Sequence, residues 1–383
     1  MSLTPSPTNR NATAYLPTLD GWRTVAIALV LFAHASESIR DAIPFLLPAD
    51  LAGFKHVGLV GVQLFFGLSG FLITSKLLEE EGRHGQISLT SFYLRRSFRI
   101  LPAAFCFITV VGLLSMAGVL DVSLGRWLST LLFAANYSQA EHSWYLGHFW
   151  SLAVEEHFYF LWPAAFLLLR AGRHRLALVV TLALAFALWR LVDFKFHLTQ
   201  ATPAEFWGRT DIQADGILWG VCVALLYADP VWKERLRKLF SAPFMWPALC
   251  AVLLVLEALP DVNWKLDFLL ISVKAILMPL LILGTVMHSS KLPGRILETS
   301  VFRWIGRLSY SLYLWQQLFL VWAEDRAVGM GLLQTFPLNL AAAFACAMLS
   351  LWLIETPLIA LGHRIAKRRV SAPWAAAGFP AKT

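Results

Sequence analysis

Arg23 and His34 lie eleven residues apart in an otherwise apolar run. At about 100° per residue this is about three helical turns, so both fall on one helix face, about 16 Å apart. Ionisable groups at membrane depth are costly and mark function by default; the competing reading is a satisfied core histidine and an arginine that snorkels. Ser69, Glu155 and Gln316 sit inside later apolar runs. Counting from the run ends places Ser69 about 16 Å and Glu155 about 10 Å below the outer surface, with Gln316 in the outer half as well. Four helices are therefore expected to bring His34, Ser69, Glu155 and Gln316 to one level, where polar groups satisfy one another away from lipid. Taken singly, Ser69 and Gln316 read equally well as interhelical hydrogen bonds.

The residue types name a chemistry. An imidazole can take a proton from an alcohol, and a carboxylate, Glu155 or Glu156, would orient it and stabilise its cation. Arg23 and the pair Arg96-x-x-Arg99 suit phosphates of a nucleotide-bearing donor, whereas Arg95 reads as simple anchoring. Asp20 is expected to cap its helix in preference to pairing with Arg23. Asp211 and Asp215 can hydrogen-bond a sugar, or equally cap a helix and pair with Arg209.

The elements that position these groups follow from composition. Of the 383 residues, 58% are hydrophobic and 15% charged, which excludes an ordinary soluble domain. The fold class is therefore an all-α polytopic membrane protein. About ten runs are long enough to cross a hydrocarbon core of about 30 Å, near Gly21–Ser38, Gly58–Leu78, Ile100–Leu120, Phe149–Leu169, Leu176–Val192, Asp211–Tyr227, Phe244–Leu259, Phe268–His288, Phe302–Trp322 and Leu332–Ile354. Trp127–Ala135 is too short to cross and is expected to be interfacial or re-entrant. Lys and Arg crowd every alternate loop, in clusters around Arg83–Arg99, Arg170–Arg175, Lys233–Lys238, Lys291–Arg303 and Arg364–Arg369, whereas Arg40, Lys55, Arg126 and Arg326 are scattered between them. That asymmetry puts both termini in the cytoplasm. The net charge of +8 thus reports topology and argues against a nucleic-acid partner. Cys106, Cys222, Cys250 and Cys346 have no metal-site or disulfide spacing and read as small buried hydrophobes. No cleavable signal is expected in the polar start of the chain. Residues 1–18 read as a cytoplasmic segment, 19–358 as the membrane domain and 359–383 as a basic, disordered tail.

Seven short motifs in order resemble the membrane acyltransferase-3 family of O-acyltransferases. They are Leu19–Arg23 continuing to His34, GVQLFFGLSGFLIT from Gly61, FYLRRSFRILP from Phe92, HFWSLAVEEHFYFLWP from His148, RTDIQADGILWGVCVA from Arg209, SYSLYLWQQ from Ser309, and IETP from Ile354. The resemblance implies acyl-CoA as co-substrate, acetyl-CoA first, no metal, and a carbohydrate or glycolipid hydroxyl as acceptor at a bacterial inner membrane. It also implies that His34 is catalytic, with Arg23 important to it and Glu155 in the family's carboxylate position. Two departures stand out: many members have His where this chain has Gln316, and Gln213 occupies a position where Arg is frequent. Some relatives carry an extra soluble domain, for which no room is expected here.

The expected mechanism has the donor's phosphates on Arg23, Arg96 and Arg99, with its pantetheine arm threading between helices toward His34. His34 then either deprotonates the acceptor or carries the acyl group itself. Glu155 would support it, with Ser69, His148, Ser151, Tyr159 and Gln316 as supporting or acceptor-side groups. A secondary transporter or flippase with a buried His/Glu relay is the rival reading, although no internal repeat is visible. The acceptor, acyl length and oligomeric state are not legible.

Overall fold

The computed structural model describes residues 15–48, 52–138, 143–169, 173–242, 244–258 and 264–376, and every regular element among them is helical. The first fourteen residues, Arg170 and residues 377–383 lie outside that description, as do the side chains of Lys55, Arg173, Arg368 and Arg369. In chain order the helices are α1 (Pro17–Ala42), α2 (Ala52–His84), α3 (Leu89–Met116), α4 (Leu124–Leu131), α5 (Trp144–Gly147), α6 (Phe149–Leu168), α7 (Arg173–Phe196) and α8 (Pro203–Gly208). They continue as α9 (Thr210–Ala228), α10 (Pro230–Ser241), α11 (Met245–Ala258), α12 (Trp264–Met287), α13 (Leu292–Leu297), α14 (Ser300–Phe319), α15 (Leu338–Ser350) and α16 (Thr356–Ala376).

Each of the ten apolar runs overlaps a helix, and six helical stretches are long and apolar enough to cross a membrane. Helices α1, α6 and α14, of 26, 20 and 20 residues, have spanning length but fall outside that set. They are the helices that carry Arg23 and His34, Glu155 and Glu156, and Gln316 and Gln317, so the candidate site itself lowers their apolarity. The Trp127–Ala135 run is α4, eight residues long, followed by a short 3-10 turn at Ala135–Tyr137; eight residues rise about 12 Å and cannot cross.

Three local expectations are corrected. Helix α1 starts at Pro17, whose fixed φ and missing N–H suit a first turn. Asp20 therefore lies inside the helix and pairs with Arg23 at 3.4 Å instead of capping it. The basic motif from Phe92 belongs to α3, which Ser88 caps by accepting the Ser91 N–H at 3.3 Å; Arg95, Arg96 and Arg99 thus stand on a rigid helix. The segment from Ile359, expected to be disordered, is helical to Ala376. It follows a single π turn at Leu351–Glu355 and packs along α3, with the Cα of Gly362 close to the Phe98 side chain and Ala366 buried.

Helix α1 packs against α2 and α14, α2 packs also against α9, and α9 against α7. The α2–α9 crossing is a close backbone approach: a Cβ at Gly70 would collide with the Ile217 carbonyl oxygen, and one at Gly220 with that of Gly67. Small residues that let helix backbones touch are the usual device where lipid supplies no hydrophobic drive for association.

Candidate active site

His34 sits on α1 with its Nδ1 2.7 Å from Oε1 of Gln316 on α14. A chain of amides fixes which atoms face each other. The Gln317 amide nitrogen donates to the Trp144 carbonyl at 2.6 Å, so its oxygen is left to accept from the Gln316 amide nitrogen at 2.9 Å. The Gln316 oxygen must then face the imidazole, Nδ1 carries the proton, and Nε2 keeps its lone pair. Trp144 packs edge-on against the His34 ring at 5.0 Å and donates its indole N–H to the Gln317 carbonyl at 3.1 Å. This is the tautomer a general base or nucleophile needs, held by a neutral amide.

A second polar layer lies elsewhere on the same helices. Glu155 on α6 accepts from the Ser69 hydroxyl of α2 at 2.7 Å, and the single hydroxyl hydrogen of Tyr159 is shared between the Ser69 oxygen at 2.6 Å and the second Glu155 oxygen at 3.0 Å. The Arg96 guanidinium of α3 lies 3.5 Å over the Tyr159 ring, a cation–π contact that fixes its plane. These residues line a cavity of about 90 Å³ together with Arg23, Arg99 and Arg307. Arg95 is not among its walls and instead meets Glu80 at 3.3 Å.

The expectation of one polar level is therefore corrected: there are two. The α1–α2 packing sets the register, because Cβ atoms at Gly58 and Gly61 would meet Ala33 and the Ala26–Val30 turn respectively. Gly58 is thus level with His34, and Ser69, eleven residues further on, is about 16 Å away, near Arg23. No hydrogen bond joins His34 to Glu155 among the described residues, and the imidazole is oriented by Gln316. The cavity leads from the lower level toward the upper one, and His34 and Gln316 are not among its walls. Its walls climb α2 from Ser69 through Phe66 and Phe65 to Val62, and α14 from Ser309 through Tyr310 to Tyr313, one turn short of Gln316.

The other candidate residues divide accordingly: Ser151 and Tyr159 line the cavity, but His148 does not. The His148 ring is buried against Phe107, Phe149 and Tyr313, and neither nitrogen has a hydrogen-bond partner among the described residues. Asp211 and Asp215 stand apart from both layers. Both oxygens of Asp215 are taken by Arg190 of α7 at 2.9 Å, not by Arg209; Asp211 receives Arg209, Trp189 and Tyr137. Sequence reasoning missed Tyr313, Arg307 and Arg190. Tyr313 was within reach, since its spacing of three from Gln316 puts both on one helix face. Among the described residues, no cluster of His, Cys, Asp and Glu is arranged to hold a metal ion.

Residues 16–356 match the family described as an acyltransferase domain. The peptidoglycan O-acetyltransferase OatA of Listeria monocytogenes is 26% identical over 92% of this chain and 57% of its own length. A Bacillus subtilis protein provisionally named peptidoglycan O-acetyltransferase YrhL is 28% identical over 93% of this chain and 57% of its own. A provisionally named O-acetyltransferase of Staphylococcus aureus strain COL is 30% identical over 90% and 57%. This chain spans little more than half the length of these relatives, and no solved structure matches it. With the family match running through both polar layers and the cavity between them, the chain is a multi-pass membrane protein that belongs to the membrane acyltransferase-3 family.

Proposed function

We propose that the protein transfers an acyl group, acetyl first, from acyl-CoA to a hydroxyl of an extracytoplasmic glycan. The observation that carries this is the cavity that runs from Arg23, Arg96, Arg99 and Arg307 to Tyr313, one helical turn below the His34–Gln316 pair. A donor suited to that lining has a polyanionic end for the guanidiniums and an arm narrow enough to enter between the helices toward His34, which is the architecture of an acyl-CoA. The guanidiniums bind its phosphates by charge-assisted hydrogen bonds. Glu155, Ser69 and Tyr159 form a hydrogen-bonding collar around the arm and position it. His34 takes the acceptor's proton through Nε2, or accepts the acyl group there.

The arginine end and both termini face the cytoplasmic side of an inner membrane, with about ten crossings, a reading supported by the Lys/Arg asymmetry of the loops. The acceptor then reaches His34 from the opposite face. Its class follows the relatives named for peptidoglycan: a carbohydrate hydroxyl. The test is purified protein in lipid nanodiscs with acetyl-labelled acetyl-CoA and peptidoglycan fragments as acceptor. Transfer by the wild type and its loss in a folded His34→Ala variant are expected; full transfer by that variant rejects the reading. A fast-quench experiment without acceptor separates the routes, because label retained on the protein marks an acyl-histidine.

A further inference from the structure

The proposed transfer leaves one charge unprovided for. When a nucleophile adds to a thioester, the carbonyl oxygen becomes an anion, and the donors that meet it contribute a large part of such catalysis. Arg23 and Arg307 are not those donors, since their backbone positions lie about 16 Å along α1 from His34 and about 13 Å along α14 from Gln316. At the His34 end the cavity walls Val62, Phe65, Phe66 and Leu152 offer no hydrogen to give. Two hydroxyls remain there, Tyr313 of α14 and Ser151 of α6, 2.5 Å apart and both buried. Both hydroxyls reach the His148 carbonyl, Ser151 at 3.1 Å and Tyr313 at 3.5 Å; with Ser151 making the shorter bond, the arrangement that uses both hydrogens has Tyr313 donating to Ser151. The Tyr313 ring is fixed edge-on by Phe65 at 6.2 Å and by His148 at 5.6 Å. Tyr313 and Gln316 are three residues apart on α14, so their backbone positions are about 4.5 Å apart along the helix axis and share the face that holds His34.

We propose that Tyr313 is a further catalytic residue whose hydroxyl donates to the thioester carbonyl oxygen, with Ser151 holding that phenol in place until the donor arrives. This assignment rests on the acyl-transfer reading of the same cavity. The acceptor oxygen bonds to the carbonyl carbon while its proton passes to His34 Nε2. The carbonyl π pair moves onto the oxygen, where the Tyr313 O–H meets it. Collapse restores the carbonyl and breaks the C–S bond, and the departing thiolate takes the proton back from the imidazolium. The same oxyanion forms if His34 is itself the nucleophile.

The experiment compares wild type, Tyr313→Phe and Ser151→Ala in nanodiscs, measuring kcat and KM for acetyl-CoA, with CoA binding followed separately. Tyr313→Phe is expected to lower kcat by about 100- to 1,000-fold with KM for acetyl-CoA little changed. Ser151→Ala leaves the phenol hydroxyl in place and is expected to lose about tenfold or less. A Tyr313→Phe enzyme with wild-type kcat overturns the assignment, as does an equal loss in both variants, which marks the pair as packing alone. Should Tyr313→Phe fail to fold, a fluorotyrosine at position 313 changes phenol acidity at nearly constant shape; kcat is expected to change with it, and an unaltered kcat overturns the assignment. A wild type that binds CoA but transfers no acetyl rejects the donor reading and this assignment with it, an outcome distinct from a variant that transfers as well as an active wild type.

Discussion

Replacing Gln316 with Leu tests the orientation of His34 at nearly constant side-chain volume. In the wild type the 2.7 Å bond from Nδ1 to the Gln316 oxygen fixes the tautomer that leaves Nε2 free. Gln316 is fully buried, so the variant strands the Nδ1 hydrogen in an apolar setting and removes the reason for it to stay there. An unsatisfied buried donor costs about 1–3 kcal/mol, and each 1.36 kcal/mol is a factor of about ten in rate. Transfer is therefore expected to fall by about 10- to 100-fold in kcat. Gln316 does not line the donor cavity, so KM for acetyl-CoA is expected to stay near its wild-type value. Gln316→His restores an acceptor nitrogen to the same place and is expected to recover most of the rate. Steady-state acetyl transfer in nanodiscs, with both parameters determined for each variant, provides the check. A Gln316→Leu enzyme with wild-type kcat, or one whose defect appears only in KM, refutes the argument that this amide sets the imidazole.

Arg96→Ala removes a guanidinium that lies 3.5 Å over the Tyr159 ring in the cavity wall, and is expected to raise KM for acetyl-CoA about tenfold or more with a smaller change in kcat; a normal KM, read from the same assay, would contradict a phosphate-binding role. Arg190→Met leaves the Asp215 carboxylate buried without its partner, a loss of about 3–5 kcal/mol, whereas Arg190→Met with Asp215→Leu is expected to recover most of the melting temperature and to keep transfer activity. Loss of activity in a well-folded double variant would return Asp215 to the substrate-binding groups.

The helical class and the places of the long runs were legible because lipid imposes a simple rule on sequence: about twenty apolar residues in a row. What escaped were features decided between helices. The run from Phe92 carries Arg95, Arg96 and Arg99, so hydropathy sees a loop; Ser88 capping and burial of Phe92, Ile100, Ala103 and Phe107 make it α3 instead. The basic end of the chain looked unstructured by composition, yet Ala366 and Gly362 find α3 to pack on. Arg190 and Asp215 are 25 residues apart on different helices, and only the α7–α9 packing reveals them as one bidentate pair.

For the site, residue identity was legible and depth was not. The depth count took Gly58 and His148 as surface positions, but α2 begins at Ala52, and Trp144, before α6, already touches the His34 ring. Both starting points lie inside, so Ser69 and Glu155 were placed too close to His34. The corrected spacing has an energetic consequence that favours the proposed chemistry. A base that takes a proton becomes a cation, and a guanidinium near it opposes that step. At an effective dielectric of about 20, a unit charge about 5 Å away would cost about 3 kcal/mol, whereas one at the about 16 Å separating Arg23 from His34 costs about 1 kcal/mol. Donor phosphates bound at the arginine end would neutralise much of that remainder. In the proposed mechanism, the three helical turns between Arg23 and His34 would keep a polyanion bound at the arginine end of the cavity apart from an imidazolium forming beyond its other end.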